Sequence, residues 1–289
     1  MTAVAADTAA ARPGRLWLAF RHNRLSQAGM LLLATIVLIA IAAPLIAPYD
    51  PIEQHIVHRL EPPSAEFWLG TDSYGRDVLS RLIYGTRVSL VIAFVAILVA
   101  MVVGSAIGIV SGYVGGVFDQ IVMGLLDVKL AFPTLLLGLM IAAMLGASLQ
   151  NLIIAIAITE IAPFARVARA PTIALKEREF VEAGRALGFG PARIMGVHIL
   201  PNMIADVAVM GSLWMASAIR TEASLSFIGL GVQPPTATWG GMIREGFENI
   251  LDAWWLAVFP SCAILVTVLA LNLLGDALRD AIDPRLRAD

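Results

Sequence analysis

Four apolar stretches of this chain run for 23 to 31 residues without a charged side chain, and they decide what it can fold into. They lie between Arg24 and Asp50, Arg87 and Asp119, Lys129 and Glu160, and Asp252 and Asp276. A bilayer core of about 30 Å is crossed by roughly 20 apolar residues of helix. In lipid every backbone N–H and C=O must find its partner within the protein, which a helix provides for itself. Composition agrees: 58% of the 289 residues are hydrophobic and 15% charged, against about 45–50% and about 25% in a soluble domain. A net charge of −2 gives no overall electrostatic case for nucleic acid. The fold class implied is all-α, a polytopic membrane protein.

Six transmembrane helices are expected. The first covers 28–48, after a short segment 1–27, and the second 88–111, after a loop 49–87. The Lys129–Glu160 stretch is too long for one span and too short for two. The turn signal Gly146-Ala147-Ser148 divides it, so the third span is placed at 121–145 and the fourth at 149–168. The fifth, 206–230, is interrupted by Arg220 and Glu222, and the sixth, 253–275, carries Pro260 as a kink. Cys262 falls in that last span and is read as a packing residue.

Positive charge is retained on the cytoplasmic side. Thirteen Lys and Arg fall in the N-terminal segment (Arg12, Arg15, Arg21, Arg24), the 166–201 loop and the C-terminal tail, which includes Arg279, Arg285 and Arg287. Five lie opposite: Arg59, Arg76, Arg81, Arg87 and Arg244. Both termini are therefore expected in the cytoplasm. A cleavable signal peptide fits poorly, because the first apolar run exceeds the usual 7–15 residues and ends in Pro44 and Pro48.

Two hydrophilic segments are long. In the outer one, Gly70 and Gly75 mark turns, Asp77 can cap the second span, and Asp72, Arg76 and Asp77 read as a local salt-bridged turn. His55 and His58 are three apart but lack a third ligand, so no metal site is assigned. The inner one, 166–201, is amphipathic: Pro171 and Thr172 open a helix to about Leu187, Gly188 and Gly190 break it, Pro191 starts a second and Pro201 ends it. A structured 36-residue loop between spans points to a docking surface.

These residues carry a pattern. Glu182-Ala183-Gly184, then Gly188, then Leu200-Pro201 resembles the EAA signature of permease subunits of bacterial ATP-binding-cassette importers. Gly184 stands where Ala is usual, and His198 where Ile is usual. Leu69-Gly70-Thr71-Asp72, followed by Gly75-Arg76-Asp77-Val78-Leu79-Ser80-Arg81, resembles the LGTDxxGRDVLSR signature of one half of the dipeptide/oligopeptide/nickel permease pair. Three further blocks agree: Asp127 with Ala131-Phe132-Pro133, Leu225 to Gly240, and Leu274 to Pro284.

The resemblance implies that Glu182, Ala183, Gly184, Arg185, Gly188, Leu200 and Pro201 form a coupling loop seated on a cytoplasmic ATPase. It implies a second homologous permease subunit, two ATPase subunits that bind ATP and Mg, an external binding protein, and a bacterial inner-membrane location. The chain itself is expected to be non-catalytic and free of cofactor, since it has no G-x-x-x-x-G-K-[ST] phosphate loop. Peptide is the first cargo and nickel the runner-up. Gly104, Gly108 and Gly112 recur every four residues, a smooth face suited either to packing within the chain or to a subunit interface.

Asp127, Lys129, Glu160, Arg220 and Glu222 fall in or near spans. Each would cost about 2.5–3.5 kcal/mol at a helix centre, so they either lock helices together or line a path. Arg220, Glu222, Glu160 and Asp127 are the path candidates. A stand-alone channel or secondary transporter would need its own gate and usually internal repeats, which are not evident. An intramembrane enzyme would need a nucleophile–base pair or metal set within the spans, and none stands at catalytic spacing.

Overall fold

A computed structural model describes residues 24–282. Arg12, Arg15, Arg21, Arg285, Arg287 and Pro284 lie outside the described residues. The elements in chain order are α1 (Arg24–Ile46), α2 (Val78–Val114), α3 (Gly116–Leu130), α4 (Thr134–Leu145), α5 (Leu149–Leu175) and α6 (Glu179–Ala186). They are followed by α7 (Pro191–Ile228), α8 (Trp239–Glu248) and α9 (Trp255–Ile282). Among the described residues the only β pairing is an isolated antiparallel bridge between Thr71 and Asp77. Five of these helices (α1, α2, α5, α7 and α9) are long and apolar enough to cross a membrane.

The third span departs from the expected continuous helix 121–145. It is a pair, α3 and α4, bent by 90° at a short break. Pro133 supplies the reason: it is held in an extended conformation (φ −55°, ψ 128°) and has no N–H to continue the ladder. The inner loop also differs from expectation. Pro171 does not open a helix but lies inside α5, which runs to Leu175, and the amphipathic helix is the shorter α6. Pro201 does not end its helix either. A π-turn at Ile194–Ile199 precedes it, and Leu200 N–H bonds Met195 O across the wider ring. The widened turn spares the Pro201 ring the clash with the preceding carbonyl that regular helix would impose.

The core lies between α2, α5 and α7, with Ile92, Ile156, Phe164, Met203, Ile219 and Leu225 fully or almost fully buried. The Gly104, Gly108 and Gly112 face is used inside the chain, against α5. A Cβ on Gly104 would stand 2.5 Å from Ile161 O, and one on Gly112 3.0 Å from Arg169 O. Only bare backbone lets two helices approach this closely. By contrast Leu38, Leu125 and Met144 on α1, α3 and α4 are exposed, the usual state of residues that face lipid or a second subunit. Cys262 is exposed on α9 rather than packed within the chain.

Candidate functional site

Three polar joints interrupt this apolar bundle. The first is the inner loop. On α6, Val181 and Gly184 face inward while Glu182, Ala183 and Arg185 are exposed. The helix closes in a Schellman motif: Phe189 N–H bonds Gly184 O (3.0 Å) and Gly188 N–H bonds Arg185 O (2.9 Å). Gly188 takes the left-handed conformation this closure needs (φ +81°). The closure turns Phe189 back over Gly184, where a Cβ would stand 3.2 Å from the ring, so glycine suits the third triplet position. Phe189 stacks flat on His198 (5.7 Å between centroids, 6° between planes), and the Arg193 guanidinium covers Phe189 at 4.0 Å. His198 is thus the residue that ties α6 to the π-turn of α7. Leu200 and Pro201 lie exposed on α7 itself.

The second joint holds the charges inside the bundle, and the structure separates them. Asp127 is exposed and paired with Arg166 across to α5. Lys129 donates to Thr159 O, the carbonyl that the missing N–H of Pro163 leaves without a helical partner. Glu160 is buried, with the Trp214 and Ser217 side chains beside its carboxylate and Lys129 and Arg220 near enough to interact electrostatically. Arg220 is exposed, whereas Glu222 points into the chain and is fully buried. Ser226 donates to Glu222 Oε1 (2.8 Å), the Ser89 and Thr238 hydroxyls lie beside the carboxylate, and Oε2 lacks a well-formed hydrogen bond. The four path candidates therefore do not converge; Glu160 feels the charge of Arg220 but makes no ion pair with it.

The third joint is the segment between α1 and α2, expected on the outer side, where the motif residues assemble a clasp. Asp72 accepts from the N–H groups of Tyr74 (2.8 Å) and Arg76 (3.0 Å) and from Arg76 Nε (2.6 Å). Its second arginine is Arg81, Nε at 3.1 Å. Both arginines continue to Glu245 on α8, at 3.4 and 3.7 Å. The expected local turn forms between Asp72 and Arg76, without Asp77, and is extended into a long-range tie. Burial, and then the negative charge of Asp72, push the Glu245 carboxyl above its usual range. Gly70 and Gly75 adopt positive φ, and a Cβ on Gly70 would stand 2.7 Å from Glu61 O. Thr71 bonds His58 O through its hydroxyl and accepts Trp255 Nε1–H at its carbonyl (3.2 Å). Asp77 caps α2 by accepting from Ser80 N–H (2.8 Å).

Sequence reasoning missed Glu245, Thr238 and the Asp119–Arg169 pair. Asp119 accepts from Arg169 Nε (2.7 Å) and Ser111 Oγ (2.6 Å), fixing the corner between α2 and α3 to α5. No local signal marks these partners, which are brought together only by the fold.

Comparison with known proteins agrees with this architecture. Residues 104–288 match the family model described as binding-protein-dependent transport system inner membrane component, and residues 14–63 match the N-terminal TM domain of oligopeptide transport permease C. The chain is 42% identical over 277 residues to the di/tripeptide transport system permease protein DppC of Pseudomonas aeruginosa, covering 94% of this chain and 91% of that protein. It is 43% identical over 272 residues to the glutathione transport system permease protein GsiD of Shigella flexneri, covering 94% and 90%. Among solved structures, the inward-facing MetNI methionine ABC transporter shares the fold, with a TM-score of 0.56 at 17% identity over 70% of this chain and 97% of that one.

Proposed function

The chain belongs to the family of binding-protein-dependent transport system inner membrane components, and from that premise we propose that it is a permease subunit of an ATP-driven importer of short peptides. The observation that carries the cargo is the 42% identity, over nearly the whole of both chains, to a permease named for di- and tripeptides. In this reading both termini are cytoplasmic, the membrane is the bacterial inner membrane, and the chain pairs with a second homologous permease. Two ATP-binding-cassette subunits bind ATP and Mg and perform all hydrolysis, and an external binding protein delivers the peptide.

The inner loop from Glu182 to Pro201 supports the coupling role. Its exposed face, Glu182, Ala183 and Arg185, stands on a helix closed rigidly by Gly188. Movement there reaches α7 through the Phe189–His198 stack, and with it the residues opposite Glu160. Alternating access then follows from rigid rotation of packed helices about a joint rather than from chemistry in this chain.

The test is ATP hydrolysis by the assembled transporter in liposomes, with dipeptides, longer peptides and Ni²⁺ added in turn. Stimulation by peptides alone is expected. Stimulation by Ni²⁺ alone would keep the importer and overturn the cargo, and a transporter that moves solute without any ATPase partner would overturn the importer.

A further inference from the structure

A cavity of about 300 Å³ opens between the clasp, the C-terminal end of α7 and α8. Tyr74, Arg76, Arg81, Arg244, Glu245 and Glu248 supply its charged and aromatic lining. We propose that this cavity receives the charged termini of a short zwitterionic peptide, a step that rests on the importer reading and adds a site to it.

One wall is built to donate. Arg76 and Arg81 are buried to nine-tenths or more, yet their Nη2 atoms stand 3.4 and 3.7 Å from Glu245 Oε2. Saturated charge-assisted hydrogen bonds are shorter, about 2.7–2.9 Å. Arg81 Nε faces Asp72 and Nη1 reaches Pro51 O, so the donor capacity left for a carboxylate lies in the two Nη2 groups. Tyr74 covers Arg76 at 4.7 Å and fixes its plane.

The floor is built to accept. Ser226 gives its single hydroxyl hydrogen to Glu222, so towards the cavity it can offer only lone pairs. Thr238, also lining the cavity, accepts Gly241 N–H (3.1 Å) and lies beside the same buried carboxylate. Glu222 has one oxygen without a hydrogen bond behind this floor. An ammonium group complements such a surface.

The cavity lining carries both signs, Arg76, Arg81 and Arg244 beside Glu245 and Glu248. A simple anion or cation can engage one sign alone, whereas a ligand with both charges can engage either partner of these ion pairs. The volume falls at the lower end of small-ligand pockets, about 300–1,000 Å³, which suits a ligand of a few residues.

The experiment measures equilibrium binding of radiolabelled dialanine to the full chain in lipid nanodiscs. Dialanine amide and N-acetyl-dialanine serve as competitors. The variants are Arg244→Gln and Glu248→Gln: each lies at the rim, about half exposed, and their ion pair is with each other, so the fold does not depend on them. Each is expected to weaken binding roughly ten-fold, and each capped peptide to compete roughly ten-fold less well. Absence of saturable binding, equal competition by the capped peptides, or unchanged affinity in both variants would overturn the site. Uptake by the assembled transporter separates the two readings. Peptide uptake with an unaltered KM in Arg244→Gln overturns the cavity and leaves the importer. Absence of peptide uptake by the unmodified transporter overturns the importer, while the nanodisc result still reads the cavity.

Discussion

The same substitution, glycine to alanine, is expected to have opposite signs at two helical positions. At Gly124, in the middle of α3, an added Cβ meets nothing within 4 Å. Alanine is about 0.8–1.0 kcal/mol better than glycine in a helix interior, so Gly124→Ala gains about that amount. At Gly108 the Cβ would stand 3.0 Å from Ala168 Cβ and closer still to Ala165 O. The obstacle is the backbone of α5, which cannot swing aside as a side chain would. Separating α2 from α5 also loosens the contact at Gly104, where an added Cβ would stand 2.5 and 2.7 Å from Ile161 O and Phe164 Cβ. Overpacking of this kind costs about 1–3 kcal/mol, which set against the helix gain leaves a net loss of up to about 2 kcal/mol. The assay is reversible unfolding of the isolated chain in mixed micelles, titrated with SDS and followed by far-UV circular dichroism. Gly124→Ala is the internal control, since it adds the same methyl group. Equal stability of the two variants would refute the close approach of α2 and α5.

Gly188→Val should abolish coupled transport while the chain still inserts, because a β-branched residue at φ +81° is strained by roughly 1–2 kcal/mol. Gly190→Ala (φ −69°, nothing near its Cβ) should be silent in the same uptake assay. Glu182→Lys should reduce retention of the ATPase in mild detergent, read by co-purification, since Glu182 is exposed on α6, the proposed docking face. Asp72→Asn should lower stability by about 3–5 kcal/mol by leaving Arg76 and Arg81 buried without their shared carboxylate, read as a large fall in melting temperature. Glu245 has a raised pKa in the folded chain, so folding favours its proton. The stability it contributes is present below the ordinary carboxylate range and is lost as pH rises through the raised value. The melting temperature of wild type relative to Glu245→Gln should therefore increase as pH is lowered from 7.5 to 5.

Spans and motifs were legible in the sequence because hydropathy and turn chemistry are local properties. The apolar runs mark where helices cross, and Gly188 marks where α6 closes. Register across helices was not legible. Pro163 could be read as an interruption of α5, but nothing near it in sequence says that Lys129, 30 residues from Thr159, satisfies the carbonyl it orphans. The clasp was half visible: Asp72 and Arg76 are four apart, whereas Glu245 lies 169 residues beyond Arg76. His198 looked like a mere departure from Ile, and only the fold reveals Phe189 flat against it. The 90° break at Pro133 was hidden because the two segments together are long and apolar enough to read as one span.

Charge within a bundle of this kind divides by what the backbone requires of it. Lys129 bonds a carbonyl freed by proline, and Lys176 bonds Gly112 O (3.0 Å) at the end of α2, where the last four carbonyls lack helical partners. Asp119 and Arg169 hold the corner at which α2 passes into α3, and Asp127 pairs with Arg166 beside them. Each of these charges offsets its own cost of about 2.5–3.5 kcal/mol by relieving a backbone or ionic deficit that the fold creates nearby. Three charges have no such duty. Glu160 on α5 feels the charge of Arg220 on α7, and Glu222 lies beneath the clasp cavity with one oxygen lacking a well-formed hydrogen bond. All three sit on or against α7, the helix that also carries the π-turn and the stacked His198 at its other end. A helix anchored to the inner loop at one end and to a polar cavity at the other is the element through which a change at either end must be felt at the other.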